Sequence, residues 1–133
     1  MKQETCIETT TELIDSAVVI SAGDDNAAFA NLSASLAEIR KLKGVMGYIL
    51  RSETSAILDL SEQDKIIDYA ILSSQISESS LEMAKQFNLA NIESVLVEGK
   101  TVKVICMSVG ENKIGIFMDK TATHDWIINR ILL

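Results

Sequence analysis

The most reactive-looking residues in the chain are His124, the sole histidine, and its neighbour Asp125. A general base needs an imidazole oriented by a carboxylate and set within reach of a nucleophile. Neighbouring residues of a helix point about 100° apart, and no serine or cysteine can be set beside the pair from its spacing. His124 is therefore expected to be an exposed residue at the start of a helix. Cys6 and Cys106 form no disulfide framework, and Cys106 sits in an apolar strand where a thiol acts as a small hydrophobe. Neither has partners at zinc spacing. Gly110-Glu111-Asn112-Lys113 lacks the second glycine and the Lys-Ser/Thr pair of a phosphate loop. Gly44-Val45-Met46-Gly47 runs into an apolar strand without the charge needed to clamp nucleotides, and Asp24-Asp25 reads as a turn and a helix cap. No catalytic residue, cofactor site or metal site is expected, and the chain is not expected to be an enzyme.

Composition narrows the partners. The 133 residues suit one domain, with a net charge of −7 and a pI near 4.6. The best basic cluster, Arg40-Lys41-Leu42-Lys43, lies at one helix end, where the macrodipole already accounts for it. Nucleic acid is not an expected partner. The apolar fraction is 47% and the mean hydropathy +0.21, high for a soluble monomer and consistent with an obligate interface. No apolar run approaches the ~18 residues of a membrane span. The polar, acidic start lacks a signal-peptide core, so a cytoplasmic location is expected.

Residues 1–25 read as an N-terminal extension and 26–133 as the domain. In the extension, Leu13/Ile14 and Ala17/Val18 recur at helical spacing and predict a short helix, with a strand over residues 17–21 as the close alternative. A helix over 27–42 follows, capped by Asp25 or Asn26, with Phe29, Leu32, Leu36, Ile39 and Leu42 on its apolar face and Gly44 in the left-handed position beyond it. Strands at 45–50 and 55–60 make a hairpin. A long helix over 61–87 opens on Ser61 and Asp64, which resemble a capping box. Strands at 92–97, 101–108 and 113–118 and a helix capped by Thr121 or Thr123 complete the chain. The expected fold is an α/β sandwich: a five-stranded antiparallel sheet, the long helix on one face and two helices on the other.

The long helix has two apolar stripes. Ile66, Ala70, Ser73, Ser77, Leu81 and Ala84 form one; Tyr69, Leu72, Ile76, Met83 and Phe87 form another, offset by roughly a third of a turn or more at 100° per residue. One stripe suffices to seat a helix on its sheet. The second is expected to meet another chain. The small side chains of Ser73, Ser74 and Ser77 are expected to let the helix approach the sheet. Asp68, Gln75, Ser79 and Glu82 lie opposite the first stripe and are expected to form a solvent-facing, acidic partner surface.

Gly44-Val45-Met46-Gly47-Tyr48-Ile49-Leu50, the long helix after the hairpin, Val95-Leu96-Val97-Glu98-Gly99-Lys100 and the closing strand and helix resemble the Roadblock family of dynein light-chain and GTPase-regulator domains, over residues 26–133. Ser52-Glu53-Thr54 stands where the family usually has a turn glycine. The resemblance implies the order α-β-β-α-β-β-β-α and a dimer, with itself or with a roadblock-like paralogue. In that dimer the third strand, 92–97, pairs with its copy and the long helices pack side by side. The implied interface comprises Tyr69, Leu72, Ile76, Met83, Ile92, Ser94 and Leu96. The implied function is a non-enzymatic scaffold for a small Ras-like GTPase or a motor-type complex. The alternative is a small-molecule sensor of profilin-like or PAS-like type, which needs a cavity with convergent polar groups; Tyr48, Tyr69 and Trp126 are the inward residues able to supply them.

Overall fold

Three strands, β3 (Val45–Arg51), β6 (Val102–Val109) and β7 (Asn112–Asp119), are apolar at most positions on both faces. Such strands belong in the middle of a sheet covered on both sides. In the computed structural model they are central. The structure describes residues 10–14, 17–21, 27–90 and 92–132. The remaining elements are β1 (Thr10–Ile14), β2 (Ala17–Ser21), α1 (Ala27–Ile39), β4 (Ser55–Leu60), α2 (Ile66–Gln86), β5 (Ser94–Glu98) and α3 (His124–Leu132). The sheet is antiparallel, with order β1-β2-β4-β3-β7-β6-β5. From α1 onward the order is α-β-β-α-β-β-β-α, as expected.

The N-terminal extension departs from expectation. The short helix is corrected to two strands; the alternative strand over residues 17–21 is β2, which pairs with β4 from Ala17↔Asp59 to Ser21↔Ser55, so the sheet has seven strands. The helical spacing there covered little more than one turn, too short to hold a helix in water. The open edge of β4 offers a ladder instead, and Val18, Val19 and Ile20 favour extended backbone. The proposed caps Asp25 and Asn26, with Asp24 and Cys6, lie outside the described residues.

Two cores flank the sheet. On one face Phe29, Leu32, Leu36 and Ile39 of α1 and Ile127 of α3 pack over Leu50, Ile105, Ile114 and Ile116. On the other, α2 lies over Ile49, Leu60, Val104, Cys106 and Phe117. Tyr69 stacks on Phe117 with ring centroids 4.6 Å apart and planes 9° from parallel. Leu72 and Ile76 join this core beside Ile66 and Ala70. Residues of both expected stripes thus merge into one sheet-facing arc of roughly 160° at 100° per residue. A broad sheet surface seats a wider helical face than a single partner helix would. The expectation that Tyr69, Leu72 and Ile76 face away from their own sheet is corrected.

α2 comes close to the sheet where small residues meet. Ser73 is buried, and a Cβ built on Gly115 would lie 2.9 Å from its Oγ. Ser74 and Ser77 are half-buried. At the other end of the sheet, Gly44 has φ +90°, and a Cβ there would lie 2.7 Å from the Asp119 carboxylate. The β3–β4 turn manages without glycine because the Ser52 hydroxyl accepts the N–H groups of Thr54 and Ser55, at 3.3 and 3.1 Å.

The expected capping box does not form. Ser61 instead donates to the Met46 carbonyl (2.8 Å) and accepts from Arg40 (2.9 Å), a 3-10 turn spans Gln63–Lys65, and α2 starts at Ile66 without a side-chain cap. The Asp64 side chain is shorter than the Glu or Gln that reaches back in such a box. α1 also ends earlier than expected, at Ile39, leaving Leu42 in the following turn.

Candidate functional site

The outer side of α2 collects the four expected partner residues. Asp68, Gln75 and Glu82 recur every seven residues and so share one line along the helix, with Ser79 beside it. All four are exposed. Ile67 and Ile71, not singled out from the sequence, sit about 40° apart on the neighbouring strip at 100° per residue. They are 73% and 52% exposed. The two isoleucines form an exposed apolar ridge flanked by carboxylates. The signal was available: both isoleucines lie opposite Tyr69 and Ile76 on a helical wheel.

The second surface is the edge of the sheet at β5. Among the described residues β5 pairs only with β6. Ser94 begins the strand, and Ile92 precedes it rather than belonging to it. Leu96 is half-buried and packs against the α1/α3 core. Val95 and Val97 lie opposite Cys106 and Val104 and therefore share the α2 face. Val97 is partly open to solvent. Met83, Phe87 and Leu89, along the last turn of α2 and its exit toward β5, are exposed too, Phe87 to 69%. Of the expected interface side chains, Met83 is available while Tyr69, Leu72 and Ile76 are engaged with the sheet.

The remaining polar groups hold the fold together. His124 is not the exposed residue expected. Its Nδ1 lies 3.2 Å from the ammonium of Lys103, which is 5% exposed and also donates to the Ala122 carbonyl at 2.8 Å. The imidazole Nε2 lies 3.6 Å from Asp125. Lys103 ties β6 to the start of α3. It alternates with Ile105 and Met107, which face α1 and α3, and that alternation could have shown it to be buried. Arg40 reaches Asp59 (3.3 Å), the Val45 carbonyl (3.3 Å) and Ser61, closing α1 onto β3 and β4.

Burial pushes the Cys106 thiol up to about 11, with Ser73 and Arg51 pulling weakly the other way, so at neutral pH it is a protonated core residue and a poor nucleophile. Tyr48 is raised to about 12, by burial first and then by Asp59, against the opposing charge of Arg40. Tyr48 is buried among α1 and α3 side chains, Tyr69 is stacked on Phe117, and Trp126 opens to solvent; the three do not converge on one cavity.

No protein-family model matches the sequence, and no curated protein is significantly similar to it. Its structure is similar to a Roadblock/LC7 domain from Streptomyces avermitilis at 12% identity, with a TM-score of 0.60, covering 83% of this chain and 90% of that one. It is also similar to the gliding protein mglB from Thermus thermophilus at 16% identity, with a TM-score of 0.62, covering 80% and 84% of the two chains. The likeness spans α1, the β3–β4 hairpin, α2, the β5–β7 meander and α3. The chain has the roadblock fold, extended at one sheet edge by the β1–β2 hairpin.

Proposed function

We propose that the chain is a non-enzymatic scaffold that works as a dimer and binds a small Ras-like GTPase on the outer side of α2. The observation that carries this reading is the exposure of Ile67 and Ile71 next to the line of Asp68, Gln75 and Glu82. An apolar ridge supplies contact energy when desolvated, and the flanking carboxylates steer a basic partner toward it. The roadblock fold supports the choice of partner, since domains of this family serve as scaffolds for such GTPases.

The β5 edge supports the dimer reading. A strand that pairs on one side only among the described residues, with Val97, Met83 and Phe87 open beside it, is a template for a second strand. Two-fold pairing at β5 would place the α2 helices of both copies on one side of a continuous sheet, doubling the partner surface. A GTPase crossing the axis would block the second copy, giving one GTPase per dimer. The test is interferometry of the immobilised chain against the Ras-like GTPase of its host. Charge reversal by Asp68→Lys and Glu82→Lys should slow association while the dimer stays intact. Unchanged association would remove α2 as the docking surface.

A further inference from the structure

A groove of about 350 Å³ lies on the opposite face from α2, between the end of α1 and the start of α3. Its apolar lining includes Val45, Ala122 and Ile127, all buried. Two large side chains flank them without being covered: Leu42, 38% exposed, and Trp126, the sole tryptophan, 50% exposed. Half-open tryptophan beside a preformed apolar cleft is the composition of a binding hot spot.

The charge around this groove differs from that of the whole molecule. The chain carries 19 acidic and 12 basic residues, yet Arg40, Lys41, Lys43, Lys103 and Lys120 all gather at this end. Arg40 is tied to Asp59 and Lys41 to Glu38. Lys43 lines the groove, Lys120 adjoins its lining residue Thr121, and neither forms an ion pair among the described residues. The Lys103 ammonium sits behind the lining, on the Ala122 carbonyl. Among the described residues the carboxylates at this end are Asp59 and Glu38, already paired, Asp119, which accepts the Thr121 N–H and hydroxyl, and Asp125, which lies against His124; together with the five cations they leave this end one charge positive, against −7 for the whole chain. The groove also meets the first turn of α3, whose leading N–H groups and positive dipole end favour an anion.

We propose that this groove docks a short acidic segment of a partner protein. One aliphatic or aromatic side chain of the segment fills the cleft between Leu42 and Trp126, and a neighbouring carboxylate meets Lys43 and the α3 N-terminus. The concave shape fits a peptide side chain better than a planar lipid surface. Because α2 and the β5 edge lie elsewhere, this site goes beyond the scaffold reading and leaves those surfaces free.

Trp126 is its own reporter. Its emission is titrated with a capped synthetic peptide alternating glutamate with leucine and phenylalanine, and with the counterpart carrying lysine for glutamate. The acidic peptide should give a saturable blue shift, at least about tenfold tighter than the lysine counterpart and weakened by salt. Lys43→Glu should weaken binding by a further factor of about ten, with an unchanged circular dichroism spectrum because Lys43 is exposed. Leu42→Asp should abolish the shift. Equal binding of both peptides, no saturable shift, or indifference to Lys43→Glu would overturn the proposal. So would a stronger shift with anionic phospholipid vesicles than with peptide, or a shift on raising protein concentration alone, which would assign the groove to a membrane or to a second copy.

Discussion

Gly115 and Ser73 set the distance between α2 and the sheet, and their coupling can be measured. In Gly115→Ala the new Cβ would stand 2.9 Å from Ser73 Oγ and 3.4 Å from Ser73 Cβ. The first distance is about 0.5 Å short of ordinary carbon–oxygen contact, and Ser73 is buried with little room to turn. Replacing a strand glycine by alanine ordinarily gains about 0.5–1 kcal/mol through the unfolded chain. Overpacking costs about 1–3 kcal/mol. The net expectation is a loss of about 1 kcal/mol, or a fall in Tm of about 4 °C for a chain of this size. Ser73→Ala removes the Oγ and leaves only the ordinary 3.4 Å contact. In that background the same Gly115→Ala change should be neutral or stabilising, so its sign changes. Thermal or urea unfolding of the four proteins gives the cycle, with an expected coupling of about 1–2 kcal/mol. Additivity of the two substitutions would refute the claim that α2 rests on this contact.

Further outcomes follow from the buried groups. Folding favours the neutral forms of Cys106 and Tyr48, so stability is complete below their unfolded values and declines as pH rises through the folded ones. The windows are 9.0 to about 11 for Cys106 and 10.0 to about 12 for Tyr48, and unfolding midpoints measured across that range should fall steadily. In a Cys6→Ser background, the alkylation rate of Cys106 at about pH 8 should be far below that of a free thiol, and a rate matching the unfolded protein would contradict its burial. Lys103→Met should cost about 1–3 kcal/mol by leaving the Ala122 carbonyl without its donor, and a shift in Trp126 emission should report loosening of the α3 start; an unchanged Tm and spectrum would mean the ammonium is not holding that junction.

The fold was legible where burial on both faces forced the pattern. The strands expected at 101–108 and 113–118 stand at Val102–Val109 and Asn112–Asp119, and Gly44, expected in the left-handed position after a helix, has φ +90°. The N-terminal hairpin was less legible, since Leu13/Ile14 and Ala17/Val18 satisfy a one-turn helix as well as two strands, and only the open β4 edge decides between them. The division of α2 into two stripes went astray for a geometric reason. Residue spacing sets angles around a helix but not the width of the surface beneath it, and Tyr69 meets Phe117 on a strand nearly 50 residues away. Asp68, Gln75 and Glu82 at heptad spacing, with Ser79 beside them, were legible as exposed because polar residues gathered opposite an apolar stripe need no tertiary information. Ile67 and Ile71 are equally legible, since helical spacing alone sets them opposite Tyr69 and Ile76.

Light scattering on a mixture of the chain with its host's Ras-like GTPase, loaded with a non-hydrolysable GTP analogue, tests the scaffold reading most directly. The chain alone should have twice its 14.5 kDa mass, and the mixture should contain two chains and one GTPase. Val97→Lys, which puts a charge on an exposed apolar position of β5, should halve the mass of the free chain and weaken the complex. A chain that stays at 14.5 kDa at tens of micromolar, or that fails to form a complex in either nucleotide state, would contradict the proposal of a dimeric GTPase-binding scaffold.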